Sequence, residues 1–337
     1  MTAANPIGTS GSGIDFSDPE LEAAIRAGLD SVEALLRDSV KSDYPFVTET
    51  SQHLVAAGGK RFRPLVVLLA AQFGDPAAKG VVPSAVVVEL THLATLYHDD
   101  VMDEAVMRRG ADSANSRWGN TVAILTGDFL FARASDILAD LGPEAVRLQA
   151  RTFERLVQGQ IRETVGSAET DDPVEHYLRV VADKTGSLIG TSCRFGAMLA
   201  EADEAIVEVV TRYGERIGVA FQLSDDLLDV TSDSGESGKT PGTDLREGVP
   251  TLPVLLLRRR ASAEDRELLD ALDSDLSTDG ALREVVGRLR SHPVMTEARA
   301  VVQSWADDAR STLAPLPDVP AKAALESLCD FVVRRTG

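Results

Sequence analysis

The sequence of 337 residues predicts an all-α protein built as a helical bundle. Apolar residues recur at helical spacing along almost the whole chain, and strand-length alternation of apolar and polar residues is hard to find. Short breaks at 74–76, 141–143 and 171–173 separate the helical segments. Connections this short favour antiparallel neighbouring helices, which is the arrangement of a bundle.

The predicted helices follow in chain order. A first apolar stripe runs from Leu21 to Leu36, and the segment 85–97 is apolar nearly all round, which indicates burial inside the bundle. Asp172 before Pro173 is a good pair of N-cap and first helical residue. Further helices are predicted at 120–140, 144–164, 173–183, 187–201 and 204–229, and again from 254 to 337 with a proline-rich break at 315–320.

The composition bounds the class of protein. The net charge of −19 gives nucleic acid no electrostatic reason to bind, and 44% hydrophobic residues allow a large core. No apolar run reaches the roughly 20 residues of a membrane span. Two cysteines cannot form a disulfide framework. We expect a cytoplasmic protein with a flexible leader at 1–19, a single domain at 20–337 and a functional loop at 231–253.

Two aspartate clusters are the strongest chemical signal. HDDVMD ends one apolar helix and SDDLLD ends another, and the outer aspartates, Asp99 with Asp103 and Asp225 with Asp229, are four residues apart. Each pair therefore shares one helical face. Like charges at the negative end of a helix dipole are unfavourable without a cation, and such oxygen ligands suit Mg²⁺. A solvated, aspartate-rich helix end would explain one cluster but explains two poorly.

Positive charge is concentrated in a few short motifs of this acidic chain. GGKRFRP at 58–64 places three cations beside two glycines, Arg108 and Arg109 follow the first aspartate cluster, and Lys184-Thr185 lies at a helix junction. Each motif alone is ordinary surface charge. Beside two metal-type clusters they predict a site for Mg²⁺-bridged phosphate groups. A P-loop, a G-x-G-x-x-G motif and a C-x-x-C pair are all missing from the sequence.

These motifs, taken in order, resemble the trans-isoprenyl diphosphate synthase (polyprenyl synthetase) family from about 58 to 253. The resemblance includes GGKRFRP, DDVMD followed by RRG, Gly127-Asp128, Gly159-Gln160, Lys184-Thr185, FQLSDDLLD and the loop GK…GTDLREG…TLP. It implies an isoprenoid-synthase-type bundle around a central cavity and, usually, a homodimer. The implied reaction adds isopentenyl diphosphate repeatedly, head to tail, to an allylic diphosphate and releases pyrophosphate.

The resemblance also assigns roles to matching positions. About three Mg²⁺ ions would be held by aspartates, with cations on the departing pyrophosphate. The metal ligands would be Asp99, Asp103 and Asp225, supported by Asp100, Asp226 and Asp229; the allylic diphosphate would meet Arg108, Lys184, Thr185, Gln222 and Lys239; and isopentenyl diphosphate would meet Lys60, Arg63, His92 and Arg109. One departure is Val249, because many relatives have a lysine directly after this Glu-Gly pair.

Product length should depend on what blocks the space below Asp99. The positions one turn deeper on the same helix are the small Ala94 and the modest Thr95, and Thr91 and Val87 follow. Asp99 and Val87 are twelve residues apart, about 18 Å of helix. This length predicts a product between C30 and C50. Phe129 and Phe131, on the following helix, are candidates for the floor, although core packing explains them equally well.

Three alternatives remain from the sequence. A short-chain synthase making C15 or C20 products would have the floor of the elongation path nearer the site. A terpene cyclase would not need the isopentenyl diphosphate residues of GGKRFRP and His92. A non-catalytic subunit of a heterodimeric synthase would have lost its aspartate motifs, and both motifs are intact in this sequence.

Overall fold

The computed structural model describes residues 16–231, 241–260 and 262–335. Its helices are α1 Pro19–Ser39, α2 Pro45–Ala56, α3 Phe62–Ala71, α4 Val81–Met102, α5 Ala114–Trp118, α6 Asn120–Leu141, α7 Pro143–Val165, α8 Pro173–Val181, α9 Ser187–Leu199, α10 Glu204–Thr231, α11 Thr243–Arg246, α12 Leu252–Arg260, α13 Arg266–Leu272, α14 Asp279–Ser291, α15 Val294–Thr312 and α16 Pro320–Arg334. A short antiparallel hairpin joins β1 Met107–Arg108 to β2 Ala111–Asp112.

The prediction of an all-α fold is confirmed, and its element bounds agree closely with the structure. The Asp172 side chain caps α8 by accepting from the backbone N–H of Val174 at 2.8 Å. Two details differ from the sequence analysis. The segment 182–186 between α8 and α9 is a turn of π-helix, and the predicted loop at 231–253 contains the short helix α11. Residues 1–15 of the predicted leader lie outside the described residues.

The contacts divide the chain into two compact units. The first unit comprises residues up to 153 together with 188–214 and 315–327. Its core is α4, which packs against α1, α3 and α6. Val86, Val87 and Val88 are all fully buried, because the helix is apolar on every side, as its sequence predicts. A single domain over 20–337 stays a prediction.

The second unit comprises residues 154–187, 215–314 and 328–337. Helix α12 packs against α8 and α15, and α14 packs against α13 and α15. Leu252 to Leu257 of α12 are buried, whereas its last turn carries Arg258, Arg259 and Arg260, which complement the negative end of the helix dipole. Among the described residues, none of the helices combines the length and apolar character required to cross a membrane.

Candidate active site

The first aspartate cluster lies at the C-terminal end of α4, in the first unit. Asp99 is half-buried and Asp103, the C-cap residue, is exposed; the backbone N–H of Asp103 donates to the Asp99 carbonyl at 2.8 Å. One more helical turn separates this end from the fully buried Ala94. The two outer carboxylates therefore stand where a buried helix reaches solvent.

Asp100, between them, turns inward. Its side chain is fully buried, and its Oδ1 accepts a hydrogen bond from Nε of Arg108 at 2.6 Å. Burial raises the pKa of this carboxyl, and the positive charge of Arg108 opposes that shift. Asp100 consequently orients Arg108, which the sequence analysis assigns to the diphosphate.

Arg109 holds the loop before α3. Gly58 and Gly59 have positive φ values of 81° and 148°. A Cβ on Gly59 would lie 3.0 Å from the Arg109 guanidinium, so the positive φ and this close approach both favour glycine here. Arg109 donates to the backbone carbonyls of Gly58 and Leu54. The arginine therefore locks the loop that carries the exposed Lys60.

Arg61, the middle cation of GGKRFRP, points the other way. Only 4% of Arg61 is exposed; its Nη1 donates to Glu89 at 2.8 Å and its Nε to Glu33 at 3.0 Å. Arg61 also has a positive φ of 48°, so the backbone reverses just before α3 begins. Two buried glutamates therefore bind the one cation of this motif that the sequence analysis does not assign to isopentenyl diphosphate.

His92 lies among arginines, about two turns of α4 before Asp99. Burial lowers the pKa of His92 well below its usual range, and the positive charges of Arg63, Arg109, Arg108 and Arg61 lower it further. A neutral imidazole among these cations can donate a hydrogen bond to a ligand without adding charge. The predicted isopentenyl diphosphate residues Arg63, His92 and Arg109 are thus electrostatic neighbours, and the surroundings favour an anion.

The second aspartate cluster lies on α10, in the second unit. Its middle member, Asp226, is also bound by neighbouring side chains of the protein. Asp226 accepts from the phenol of Tyr177 and, at 2.8 Å, from Nε2 of Gln222. Thr185 donates to Oε1 of Gln222 at 3.1 Å, so four side chains form one network. Burial raises the pKa of Asp226 to about 6. The sequence analysis missed Tyr177, which lies on the apolar α8 without any distinguishing motif.

The outer members of this cluster have different partners. Asp229 accepts from the backbone N–H groups of Thr243 and Asp244, at 3.2 and 3.1 Å, and so fixes the start of α11. Asp225 is partly exposed and pairs with Arg335. The carboxylate of Asp225 is therefore accessible from solvent. Asp229, in contrast, anchors the end of the long loop. Lys239 lies outside the described residues.

The turn of π-helix at 182–186 positions Lys184 and Thr185. Such turns occur often at functional sites, because they displace side chains from the regular helical register. Asp183 inside the turn is held by Arg155, at 3.2 Å, and by Arg162. A Cβ at residue 159 would lie 2.9 Å from the Lys184 backbone nitrogen, which explains the glycine of the Gly159-Gln160 motif. The ε-ammonium of Lys184 pairs with Glu163 at 2.5 Å.

A cavity of about 440 Å³ in the second unit brings together three of the five predicted allylic diphosphate residues. Lys184, Thr185, Gln222 and Asp226 line it, as do Tyr177, His176, Thr251 and Leu255. Val249 lines this cavity too, with 40% of the residue exposed. The departure from the family pattern is therefore located beside the residues that the resemblance assigns to diphosphate.

A second cavity of about 440 Å³ lies in the first unit between α4, α6 and α7. Phe131 lines it and contacts Phe153, with ring centroids 4.5 Å apart. Phe129, the other candidate for a floor, is half-buried and is not among its lining residues. Thr91 and Val87 are fully buried on α4. Thr95 is half-buried and donates to the His92 carbonyl at 2.8 Å.

The carboxylates fit a metal ion that arrives with a phosphorylated ligand. Among residues 16–231, 241–260 and 262–335, no group of three or more His, Cys, Asp or Glu side chains converges as a ready-made metal site. Mg²⁺ is usually held by one or two carboxylates together with phosphate oxygens and waters. Asp99 with Asp103, and Asp225 in the second unit, offer carboxylates of this kind.

Comparisons with known proteins agree with this chemistry. The family model for polyprenyl synthetase matches residues 44–289. A nonaprenyl diphosphate synthase from Mycobacterium tuberculosis is 49% identical over 326 residues, which are 96% of this chain and 97% of that protein.

Solved structures extend the comparison. A geranylgeranyl pyrophosphate synthase from Corynebacterium glutamicum, complexed with calcium and isoprenyl diphosphate, is 45% identical with a TM-score of 0.86, covering 96% of this chain and 100% of that chain. A decaprenyl diphosphate synthase from Rhodobacter capsulatus is 34% identical with a TM-score of 0.84, covering 94% and 99%.

A helical fold with two aspartate clusters, together with lysine and arginine residues at the positions of the family motifs, defines an enzyme that transfers prenyl groups between diphosphates. The chain belongs to the polyprenyl synthetase family. The predictions of this family, of a prenyltransferase and of an all-trans polyprenyl diphosphate synthase are confirmed.

Proposed function

We propose that this polyprenyl diphosphate synthase elongates an allylic diphosphate with isopentenyl diphosphate, in the presence of Mg²⁺, to products between C30 and C50. The observation that carries the proposal is the arrangement on α4. Asp99 and Asp103 stand at one end, the arginine-ringed His92 lies less than two turns away, and small or modest side chains follow. One helix would thus bind the charged diphosphate at its end and contact the prenyl tail along its length.

The first unit would hold isopentenyl diphosphate. Arg63 and Arg109 supply charge, Lys60 stands exposed on the loop that Arg109 fixes, and neutral His92 supplies a hydrogen bond. Arginine forks match phosphate oxygens well, and the ammonium of lysine acts as a point charge. These groups orient the substrate so that its double bond can attack the allylic carbon.

The allylic diphosphate would be held by Arg108, Lys184, Thr185, Gln222 and Lys239. About three Mg²⁺ ions on Asp99, Asp103 and Asp225 would supply electrostatic stabilisation of the leaving pyrophosphate. Asp100 holds Arg108 in place, and Asp226 holds Gln222, which accepts from Thr185. The buried apolar surface of α4 would exclude water from the allylic cation, which water would otherwise capture.

A shorter product is the second candidate. The 45% identity with a geranylgeranyl pyrophosphate synthase favours it, whereas the 49% identity with a nonaprenyl diphosphate synthase favours the longer chain. Ala94 is small, and a small side chain one turn below Asp99 supports elongation beyond the first turn.

We also propose a homodimer in the cytoplasm. Helix α6 exposes Ile124 and Leu125, and α7 exposes a stripe of apolar residues at helical spacing. The members of this stripe are Val146, Val157, Ile161 and Val165. Isolated exposed apolar residues are ordinary, but a stripe along one helical face is typical of a surface that pairs with another chain.

The test is product analysis with purified enzyme. Farnesyl or geranylgeranyl diphosphate, excess isopentenyl diphosphate and Mg²⁺ should give products of C30 or longer by mass. Asp99→Ala and Asp225→Ala should lower turnover by several orders of magnitude with the fold retained, because each removes a hard metal ligand. A product from the allylic substrate alone would indicate a cyclase, and near-normal turnover of either variant would overturn the metal assignment.

A further inference from the structure

A buried glutamate of α4 contacts two arginines beside the proposed isopentenyl diphosphate site. Glu89 is 2% exposed, and its Oε1 accepts a hydrogen bond from Nη1 of Arg61 at 2.8 Å. The same oxygen lies 4.0 Å from Nη2 of Arg109. Burying a carboxylate is unfavourable unless cations compensate its charge. One oxygen of Glu89 thus faces two cations, and the proposed function gives this residue no role.

Both arginines hold the same segment of backbone. Nη2 of Arg61 donates to the carbonyl of Val55 at 3.1 Å. Nη1 of Arg109 donates to the carbonyls of Gly58 and, at 3.3 Å, Leu54. These carbonyls belong to the last turn of α2 and to the loop between α2 and α3. The loop is therefore held at three carbonyls by the two guanidinium groups that share one buried carboxylate.

The backbone at both arginines adopts an unfavourable conformation. Arg61 has a φ of 48° and Arg109 a φ of 53°, in the left-handed region that residues with a side chain seldom adopt. Such conformations persist where the surrounding contacts impose them. Lys60 directly precedes Arg61, and Arg63 follows two residues later. The direction in which these two predicted substrate residues leave the backbone therefore depends on contacts that fix Arg61.

The two guanidinium groups oppose each other electrostatically. Burial lowers the pKa of Arg109, the charge of Glu89 raises it, and the nearby charge of Arg61 lowers it again. Without the carboxylate, two cations would repel each other in a poorly solvated region. The Arg109 side chain would then turn toward solvent and release the carbonyls of Leu54 and Gly58.

We propose that Glu89 is a positioning residue for isopentenyl diphosphate, because its carboxylate keeps Arg61 and Arg109 on the loop that carries Lys60. This inference rests on the proposed function, which places isopentenyl diphosphate beside this loop. A buried carboxylate acts directly on an anionic substrate only by repulsion. The two effects have opposite signs: loss of a positioning group weakens substrate binding, whereas loss of a merely repelling charge strengthens it.

Glu89→Gln removes the charge and leaves an amide oxygen that can still accept from Arg61. KM for isopentenyl diphosphate should rise by roughly fivefold or more, with kcat and KM for the allylic substrate within about twofold of wild type. The matched control is Glu33→Gln on α1, which changes another buried carboxylate bound to Arg61, at 3.0 Å. In this control Arg109 keeps its carboxylate, so KM should change by less than about twofold.

Steady-state kinetics with each substrate varied in turn gives the KM values, and thermal unfolding checks that each variant folds. Glu89→Asp replaces the Gln variant if that one does not fold; its shorter side chain cannot reach both arginines, so the same rise is expected. An unchanged or lower KM for isopentenyl diphosphate, an equal rise for both substrates, or an equal rise in Glu33→Gln overturns the inference. Lys60→Ala is assayed alongside, because an unchanged KM in that variant would refute the proposed substrate site and not the role of Glu89.

Discussion

The guanidinium of Arg335 pairs with the carboxylate of Asp225 and lies over the ring of Phe221, with its central carbon 4.7 Å from the ring centroid. Phe221 precedes Asp225 by one helical turn, so α10 supplies both contacts. The ring centroid of Phe331, in α16, lies 5.4 Å from the same guanidinium carbon. Arg335 is thereby held against Asp225, the aspartate that the family resemblance assigns as a metal ligand.

A metal ion at Asp225 must compete with this ion pair. Arg335→Gln removes the competing charge, so we expect the Mg²⁺ concentration for half-maximal thermal stabilisation to fall roughly fivefold, corresponding to about 1 kcal/mol. Arg334→Gln, at the exposed neighbouring position, is the matched control and should leave the Mg²⁺ dependence unchanged. An unaltered dependence in Arg335→Gln would show that the pair does not oppose metal binding.

The two substrate sites should separate kinetically. Lys60→Ala or Arg63→Ala removes charge from the region around His92, so KM for isopentenyl diphosphate should rise roughly tenfold or more, with a smaller effect on KM for the allylic substrate. Lys79→Ala, an exposed lysine before α4, serves as the control. Steady-state kinetics with each substrate varied in turn makes the measurement. Equal effects on both KM values would contradict separate phosphate sites.

Val249 offers a gain-of-function test. Its side chain lines the cavity that contains Lys184, Thr185 and Gln222, at the position where many relatives have lysine. Val249→Lys adds a charge beside the predicted diphosphate, so KM for the allylic substrate should fall by about threefold or more. Val249→Met adds length without charge and controls for packing. If both variants behave alike, the added charge does not reach the diphosphate.

The stability of the protein should depend on pH through His92. In the unfolded chain its pKa returns to about 6.5, whereas burial and the nearby arginines keep the folded value well below that. As pH falls through about 6.5, the unfolded state binds a proton that the folded state does not bind, so the free energy of unfolding decreases.

His92→Gln removes this proton from both states. Compared with wild type, the variant should lose less unfolding free energy between about pH 7.5 and about pH 5.5, a difference that urea denaturation at the two pH values measures. If the difference in unfolding free energy between the two proteins does not change with pH, then His92 titrates normally in the folded protein.

Sequence patterns predicted helices and motifs well, because helical periodicity and clustered charge are local properties. They could not predict the inward turn of Arg61, since Glu33 and Glu89 that bind it are each 28 residues away in the chain. Tyr177 escaped notice for the same reason: its partner Asp226 is 49 residues away. The π-helical turn around Lys184 depends on Asp183 contacts with Arg155 and Arg162 that no local motif encodes.

Length control can be tested at the turn nearest the metal site. Ala94 is fully buried on α4, and its carbonyl oxygen would lie 3.1 Å from a Cβ placed at Gly127, so α4 and α6 are in close contact at this level. A phenyl ring at position 94 therefore cannot be accommodated by moving α6 away without disturbing a densely packed core. The ring must occupy the path below Asp99 and close it about one helical turn, 5.4 Å, below the diphosphate.

Ala94→Phe should therefore stop elongation near C15 to C20, whereas wild type continues to C30 or beyond. The mass distribution of products with excess isopentenyl diphosphate measures the effect, and turnover of the first condensation is followed in the same reactions to separate a blocked path from a damaged site. Ala94→Gly, which removes bulk at the same position, is the matched control and should not shorten the product. An unchanged distribution in Ala94→Phe would show that the elongation path does not pass Ala94. A wild type that itself stops at C20 would place the floor nearer Asp99 and refute the long-chain proposal, because the small residues of α4 would then border no open path.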